Sequence, residues 1–304
     1  MSAIFQKANT AVITGGASGI GLALAHKCVG YGMRVVVADW DTGRLDEARR
    51  SLGAGATALR VDVAKTEDWA ALKTHVVREL GGQVNLLALN AGVSGGGTSF
   101  NNSEGEGSGV QGLETWRKVV DVNFFGVVNG ITTFLPLIRE MVEKKEEGKE
   151  GEEARIIITG SKQGITNPPG NPAYNASKAA VRSVAEQLSF DLRAVKGVAV
   201  HLLIPGWTWT PLAGAVGGKA KPEAAWTAEQ VVEFLEGKMR EGEEKGDEKK
   251  FWVLCPDNDV SEETDRKRML WTADDPVKGR LPLSRWRDEY NLEFEAWMKG
   301  RGGL

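Results

Sequence analysis

Tyr174 and Lys178 are the residues of this sequence whose types and spacing point most directly to chemistry. Asn171 followed by Pro172 is typical of a helix cap with proline at the first helical position, which predicts Tyr174 in the opening turn. Lys178 comes four residues later, on the same helical face. A tyrosine hydroxyl titrates at a pKa of about 10, and a neighbouring ammonium group favours the phenolate. The pair could therefore transfer a proton near neutral pH, although the isolated spacing is also common on helix surfaces.

A glycine-rich turn near the N-terminus could hold a phosphate. The run TGGASGIG, from Thr14 to Gly21, follows a predicted strand and opens a helix whose free N–H groups and dipole would face an anion. Asp39 ends the next strand, where its carboxylate can accept both ribose hydroxyls and repel a 2′-phosphate. Arg44 is the nearest cation after Asp39, and the glycine run contains none, so the sequence favours NAD over NADP. A purely steric need for glycine and a solvated strand end are the alternative interpretations.

The elements that must position these residues are strands alternating with helices. This order predicts an α/β fold of the Rossmann type, a doubly wound parallel sheet of about seven strands with helices on both faces. The predicted strands are Ala11–Thr14, Arg34–Asp39, Ala58–Val61, Leu86–Asn90, Arg155–Thr159, Val198–Ile204 and Phe251–Leu254, and the predicted helices are Ile20–Val29, Trp69–Leu80, Trp116–Val142, Ala176–Val195 and Ala228–Met239. We expect residues 1–255 to form one catalytic and cofactor-binding domain.

Three segments and a C-terminal extension interrupt this pattern. Ser94–Gly112, Glu143–Glu153 and Glu236–Lys250 are predicted to be surface insertions. Residues 256–304 are too aromatic for a disordered end, so this extension should pack on its own domain or on a neighbouring subunit. Its rings are Trp271, Trp286, Tyr290, Phe294 and Trp297.

Composition argues against several other functions. Lys and Arg total 38 against 41 Asp and Glu, a formal charge of -3, which gives no positive field for nucleic acid. The N-terminus lacks a signal-peptide pattern and no run approaches the roughly 20 apolar residues of a membrane span, so we expect no membrane partner and a cytoplasmic protein. Two separated cysteines and three separated histidines predict neither a disulfide framework nor a metal site.

Taken together, the motifs resemble the classical short-chain dehydrogenases/reductases. They are Thr14–Gly21, Asn90-Ala91-Gly92, Asn123, Ser161, the run YNASK from Tyr174 to Lys178, and Pro205-Gly206, in the family's order and spacing. The resemblance spans roughly Ala11 to Cys255. Leu89 and Lys162 depart from the commonest pattern; Lys162 could bring positive charge to the site or point to solvent.

The resemblance implies an NAD(H)-dependent oxidoreductase that interconverts a secondary alcohol and a ketone. Tyr174 would be the general acid/base, Ser161 would orient the substrate oxygen, Lys178 would bind the nicotinamide ribose and lower the tyrosine pKa, and Asn123 would hold a water on the proton path. The implied cofactor-binding residues are Gly15, Ser18, Gly19, Ile20, Gly21, Asp39, Asp62, Val63, Asn90, Ala91, Gly92, Tyr174, Lys178, Pro205, Gly206, Thr208 and Thr210. The structural alternatives are an interrupted-helix contact for Asn123 and strand-end capping for Ser161 and Thr210.

Substrate and assembly are less constrained. The loop Trp207–Trp226, rich in glycine, could act as a lid, and Trp207 and Trp209 suggest a hydrophobic small-molecule substrate unless they pack the lid against the body. The alternatives are an NADPH-dependent carbonyl or imine reductase of a biosynthetic pathway and a non-catalytic dinucleotide-binding scaffold. The resemblance also implies a homodimer or homotetramer formed through the fourth and fifth helices, the fourth being the long helix that contains Asn123.

Overall fold

A seven-stranded parallel sheet forms the centre of the protein. The computed structural model describes residues 4–95, 100, 109–144, 152–215, 217, 219–244 and 250–300. Its strands are β1 (Thr10–Thr14), β2 (Arg34–Asp39), β3 (Ala56–Arg60), β4 (Leu86–Leu89), β5 (Ala154–Thr159), β6 (Val198–Ile204) and β7 (Trp252–Leu254). Their order is β3-β2-β1-β4-β5-β6-β7 and every pairing is parallel, which confirms the predicted fold class.

The chain reverses direction across the sheet between β1 and β4. Starting from β1, the first strands are added on one side, and β4 then returns to pair with β1 on the other. The loops that follow these two strands therefore diverge and leave a crevice at their carboxyl ends. This crevice is where the glycine run and the Asn90 loop meet.

Ten helices in the described part of the chain accompany the sheet. They are α1 (Gly19–Gly30), α2 (Thr42–Leu52), α3 (Thr66–Leu80), α4 (Gly109–Val120), α5 (Gly126–Glu143), α6 (Gln163–Thr166), α7 (Pro172–Asp191), α8 (Ala228–Glu244), α9 (Glu262–Lys278) and α10 (Asn291–Lys299). Apolar side chains of α1, α2 and α8 fill the core on one face of the sheet, including Leu24, Leu45 and Leu235. Those of α3, α5 and α7 fill the other, with Trp69 and Phe134 edge to face. The predicted covering of both faces is confirmed.

The predicted helix Trp116–Val142 is interrupted. A π-helical segment, Asp121–Phe125, separates α4 from α5. The helical stretch Gly112–Glu143, which includes this π-helical segment, is long and apolar enough to cross a membrane, and it is the one such stretch among the described residues. Its most apolar part has a mean hydropathy of 1.3. This is weak evidence, because the core helix of a soluble protein passes the same test, and a third of that part is buried here.

The C-terminal extension folds around Trp271. This ring is buried, its Nε1 donates a hydrogen bond to Ser284 Oγ at 2.7 Å, and the Arg280 guanidinium stacks on it at 3.7 Å. Phe294 and Trp297 contact the same ring edge to face. Through α9 the extension packs against α6, the short helix that follows Ser161.

The predicted insertions Ser94–Gly112 and Glu143–Glu153 lie mostly outside the described residues. The prediction for Glu236–Lys250 is wrong over its first part, because Glu236–Glu244 continue α8, and Glu236 is buried where it accepts a hydrogen bond from the Tyr31 hydroxyl. The division at residue 255 stays a prediction.

Candidate active site

A cavity of about 1370 Å³ lies at the carboxyl ends of the strands. The predicted site residues that line it are Gly15, Ser18, Gly19, Ile20, Asp39, Asp62, Val63, Asn90, Ala91, Gly92, Ser161, Tyr174, Lys178, Pro205, Gly206, Thr208 and Thr210. Gly21 and Asn123 do not line it; both are buried behind its wall. One cavity thus brings together the glycine run, Asp39 and the Tyr174 pair, although they are far apart in the sequence.

Three glycines shape the turn between β1 and α1. Gly15 and Gly19 have φ angles of +60° and +53°, in the left-handed region that favours glycine. A Cβ on Gly15 would lie 2.8 Å from Ala91 Cα, and one on Gly21 would lie 2.2 Å from the Gly15 carbonyl oxygen. Gly21 therefore allows the helix to approach the turn, while Gly15 allows the turn to approach the neighbouring loop.

Asp39 lies at the other end of this cavity wall. Its two carboxylate oxygens accept hydrogen bonds from the backbone N–H groups of Ala17 and Asp41, each at 3.2 Å. These contacts fix the carboxylate where it lines the cavity. The Arg44 guanidinium lines the cavity nearby, 3.5 Å from Ser18 Oγ, and also pairs with Asp41.

Asn90 connects three strand ends rather than simply lining the cavity. Its side-chain amide donates to the carbonyl oxygens of Thr14 and Gly15, and its Oδ1 accepts from the Thr159 hydroxyl at 3.1 Å. The Thr14 hydroxyl in turn accepts from the backbone N–H groups of Asn90 and Ala91. The sequence reasoning did not single out Thr14 and Thr159 for these contacts. Their positions as the last residues of two strands were the available signal.

Ser161 and Tyr174 meet at the bottom of the cavity. Helix α7 begins at Pro172, as predicted, so Tyr174 lies in its first turn. Burial raises the pKa of the Tyr174 hydroxyl, and a side-chain hydrogen bond with Ser161 opposes this rise. Ser161 Oγ also accepts the N–H of Gln163 at 3.2 Å, which orients the serine side chain at the start of α6.

Lys178 is buried beside this pair. Its Nζ lies 5.8 Å from the centre of the Tyr174 ring and donates a hydrogen bond to the Thr159 carbonyl oxygen at 2.7 Å. Burial lowers the pKa of Lys178 to about 8, because the charged form is desolvated. Within the protein alone, burial of Tyr174 outweighs the hydrogen bond with Ser161, so the tyrosine pKa is raised, whereas the sequence predicted a lowered pKa.

Asn123 lies in the π-helical segment and binds two neighbouring elements. Its Oδ1 accepts the N–H of Val93 at 2.8 Å, and its Nδ2 donates to the Val93 carbonyl oxygen and to Ser177 Oγ, both at 3.0 Å. A Cβ on Gly92 would lie 3.3 Å from Asn123 Oδ1 and 3.7 Å from Lys178 Nζ. Asn123 therefore fixes the loop after β4 against α7, next to the lysine. Widened helical turns of this kind are frequent at functional sites.

The loop after β6 closes the cavity from the other side. A Cβ on Gly19 would lie 3.0 Å from Thr210 Cγ2, so this loop runs across the glycine turn. Trp207 and Leu212 both line the cavity and are 46% and 49% exposed. Trp209 instead donates its backbone N–H to the Trp226 carbonyl oxygen at 2.8 Å.

Lys162 lines the cavity, and its side chain is only 13% exposed, so it does not point to solvent. Its ammonium group pairs with Asp257 and Asp265, which sequence reasoning missed. Asp257 follows β7, at the carboxyl edge where the other site residues lie, and that position was the available signal. Among the described residues, no group of three or more His, Cys, Asp or Glu side chains could hold a metal ion.

Comparison with known proteins agrees with this geometry. A family model described as short chain dehydrogenase matches residues 9–220. The chain belongs to the short-chain dehydrogenase/reductase family. The match covers every predicted site residue, from Gly15 to Thr210.

Individual relatives are also dehydrogenases or reductases. The chain is 30% identical over 215 residues to bovine 3-hydroxyacyl-CoA dehydrogenase type-2, covering 71% of this chain and 79% of that protein. It is 34% identical over 218 residues to 1-deoxy-11-beta-hydroxypentalenate dehydrogenase of Streptomyces exfoliatus, covering 71% and 72%. These relatives indicate an oxidoreductase that acts on a CH–OH group.

Two solved structures share the fold. A short-chain dehydrogenase/reductase from Burkholderia phymatum in complex with NAD superposes with a TM-score of 0.72 at 29% identity, covering 91% of this chain and 96% of that one. A 3-ketoacyl-(acyl-carrier-protein) reductase from Brucella melitensis complexed with NADH gives 0.60 at 26% identity, covering 68% and 78%. The family comparison thus supports a nicotinamide cofactor.

Proposed function

We propose that this protein is an NAD(H)-dependent oxidoreductase that interconverts a secondary alcohol and a ketone, with Tyr174 as the general acid/base. The observation that carries the proposal is the convergence of Ser161, Tyr174 and Lys178 on the cavity that Asp39 and the glycine turn also line. Such a cavity offers a dinucleotide site at one end and a proton-transfer group at the other.

The residues that would hold the cofactor fit a dinucleotide. The glycine turn and the N-terminus of α1 would face the pyrophosphate, because Gly15 and Gly19 line the cavity without a side chain. Asp39 would accept hydrogen bonds from the adenosine ribose hydroxyls, and Lys178 would donate hydrogen bonds to the nicotinamide ribose hydroxyls. When bound, the cofactor supplies the acceptor or donor of the hydride.

The protein's own groups would then handle the proton. Ser161 orients the substrate oxygen by a hydrogen bond, and Tyr174 takes the hydroxyl proton during oxidation or donates it during reduction. A positive charge near the phenol is needed to offset the rise in pKa that burial causes, and Lys178 is the protein's cation beside it. Asn123 keeps the loop after β4 against α7, so that Lys178 remains next to Gly92.

Asp39 supports NAD as the preferred cofactor, because a fixed carboxylate repels a 2′-phosphate. The second candidate is an NADPH-dependent carbonyl or imine reductase. One observation favours it: the Arg44 guanidinium lines the cavity close to Ser18, where it could pair with a phosphate. A non-catalytic dinucleotide-binding scaffold is the third candidate, which the experiment below distinguishes from the other two.

We further propose a hydrophobic small-molecule substrate. Trp207 and Leu212 support this, since both are about half exposed and line the substrate side of the cavity. Apolar side chains in a cleft favour ligands that can cover them. A specific activity confined to small hydrophilic polyols would contradict this proposal.

The assembly we propose is a homodimer or homotetramer in the cytoplasm, formed through the helical stretch that contains Asn123 (α4 and α5) and the helix that carries Tyr174 (α7). Leu113 on α4 and Phe125 beside α5 support it, because both are about half exposed and apolar. Light scattering on purified protein tests the assembly, and a monomeric mass would contradict it. A protein that needs detergent for extraction would instead favour a membrane role for Gly112–Glu143.

The first experiment is a titration of NADH and of NADPH, followed by energy transfer from tryptophan to the nicotinamide. A clear preference for NADH would support the Asp39 argument and lead to a panel of apolar secondary alcohols and ketones. Preference for NADPH would favour the reductase. Cofactor binding without turnover on the panel would favour the scaffold, and binding of neither cofactor would refute the enzyme proposal.

A further inference from the structure

A buried ion cluster lies directly beside the catalytic serine. Lys162 Nζ is 3.2 Å from Asp257 Oδ2 and 2.5 Å from Asp265 Oδ2. The side chains of Lys162, Asp257 and Asp265 are only 13%, 14% and 4% exposed. We call these three residues the Lys162 cluster. Ion pairs as buried as these are costly to break, because the remaining charge loses its partner.

Asp257 connects the cluster to the loop after β6. Its Oδ1 accepts the backbone N–H of Trp207 at 2.8 Å while Oδ2 faces Lys162. A Cβ on Gly206 would lie 1.5 Å from Asp257 Oδ1, so the carboxylate occupies the space that any other residue at 206 would need. The glycine of the Pro205-Gly206 motif and Asp257 are therefore complementary in this chain.

Asp265 connects the cluster to the C-terminal extension. It lies in the first turn of α9, and α9 packs against α6, the helix that begins right after Lys162. Arg268, one turn further along α9, approaches the same carboxylate at 4.0 Å. Burial raises the pKa of Asp265, and the interaction with Lys162 opposes this rise.

One ammonium thus joins three segments that come from distant parts of the chain. These are the turn that carries Ser161, the loop that carries Trp207 and Thr208, and the extension after residue 255. Two of them line the cavity, on the side away from Asp39. Movement of any one relative to the others would change the wall against which a substrate lies.

We propose that Lys162, Asp257 and Asp265 are positioning residues that lock the loop after β6 and the C-terminal extension onto the Ser161 turn. By this arrangement the extension helps to shape the substrate site of its own subunit without contacting the reacting atoms. The effect on turnover rests on the proposed function, whereas the effect on the loop does not. The same loop carries Thr208 and Thr210, which would contact the nicotinamide end of the cofactor, whereas Asp39 and the glycine turn, which would hold its adenosine and pyrophosphate, lie elsewhere. Loss of the lock should therefore weaken substrate positioning more than cofactor binding.

The test compares Lys162→Met and Asp265→Asn with Lys162→Arg, which retains the charge. The control is Lys27→Met: Lys27 is also 13% exposed and pairs with two carboxylates, Glu233 and Glu236, but it lies on α1 outside the cavity. Hydrogen exchange is measured by mass spectrometry on the peptide that contains the Trp207 amide, in the protein without cofactor. This readout is independent of turnover.

We expect Lys162→Met to accelerate exchange at Trp207 by about tenfold or more, since Asp257 loses the ammonium that holds it. Asp265→Asn should accelerate the exchange by a smaller factor, because it detaches α9 from Lys162 but leaves the Lys162–Asp257 pair. On a ketone or alcohol that the wild type turns over, KM should rise by about tenfold, while the Kd for NADH changes less than about threefold. In Lys162→Arg the exchange rate at Trp207 and the KM should stay close to the wild-type values, and Lys27→Met should change neither quantity.

Exchange at Trp207 that is unchanged in Lys162→Met, or that rises equally in Lys27→Met, would overturn the proposal. If Lys162→Met does not fold, Asp265→Asn decides by the same criterion. If the wild type binds NADH but turns over no substrate, the proposed function fails, and the exchange measurement still decides whether the cluster holds the loop.

Discussion

Replacing Asp39 by alanine should change both the affinity for NADH and the choice between NADH and NADPH. The carboxylate is held by two backbone N–H groups, from Ala17 and Asp41, so it reaches the cavity in one fixed orientation. An acceptor that is already fixed loses little conformational entropy when it binds the two ribose hydroxyls of adenosine. Alanine removes that acceptor and the negative charge that repels a 2′-phosphate, and it leaves Arg44 in place.

The magnitude follows from the hydrogen bonds lost. A hydrogen bond to a charged group contributes about 1.5–3 kcal/mol. Losing one such contact corresponds to an increase of about 10- to 150-fold in the Kd for NADH, and two contacts would exceed this range. The Kd for NADPH should not increase, because the repulsion disappears together with the acceptor. The ratio of the two affinities should therefore shift by at least about tenfold.

The assay is the titration of each cofactor by tryptophan-to-nicotinamide energy transfer. Asp46→Ala is the control: it removes an exposed carboxylate on α2 that pairs with Arg49, and neither residue lines the cavity. We expect the control to change either Kd by less than about threefold. Asp39→Ala leaves the backbone N–H groups of Ala17 and Asp41 without their acceptor. Thermal unfolding of both variants therefore checks that the protein remains folded. An unchanged ratio in a folded Asp39→Ala protein would refute the argument.

Three further predictions concern proton transfer, stability and packing. Lys178→Met should move the pH at which the oxidation rate rises to higher values, because burial already raises the pKa of Tyr174 and the nearby cation is lost; a pH profile of kcat/KM measures this. Burial lowers the pKa of His201 from 6.5 to about 4. Between these two pH values the unfolded chain binds a proton that the folded chain does not, so the free energy of unfolding should fall by about 3 kcal/mol as the pH drops through this interval. Urea unfolding of wild type and His201→Gln measures this. Gly21→Ala should destabilise the fold by about 1–3 kcal/mol and weaken NADH binding, because its Cβ would meet a backbone oxygen, whereas Gly30→Ala in the same helix meets nothing.

A specific result would contradict each of these three predictions. An unshifted profile in Lys178→Met would remove the electrostatic role of the lysine. Equal loss of stability at low pH in wild type and His201→Gln would mean that other groups cause it. Similar stability and affinity in Gly21→Ala and Gly30→Ala would mean that the glycine turn tolerates a side chain.

The sheet could be predicted from the sequence because parallel strands are buried on both faces. Runs such as Arg34–Asp39 and Val198–Ile204 are continuously apolar or nearly so, and both form strands with the predicted bounds. The ends of helices were less predictable. Helix α2, for example, has a polar composition and depends on Asp41 as its cap, and the sequence reasoning did not identify it.

The catalytic neighbourhood could be predicted where spacing is local. Tyr174 and Lys178 are four residues apart on one helix, so their proximity follows from helix geometry. The ion pairs of Lys162 join it to residues 95 and 103 positions away, and nothing in the local sequence indicates which carboxylate an ammonium will meet. The raised pKa of Tyr174 also depends on burial, which emerges only when the whole cavity wall is assembled.

The central claim, that Tyr174 transfers the proton, is tested most directly by Tyr174→Phe. The variant removes one hydroxyl group and keeps the ring, and it is measured alongside wild type on the best alcohol of the panel and in the NADH titration. We predict that turnover falls by about 10²- to 10⁴-fold while the Kd for NADH changes less than about threefold. Turnover within about tenfold of wild type, with cofactor binding intact, would contradict the account.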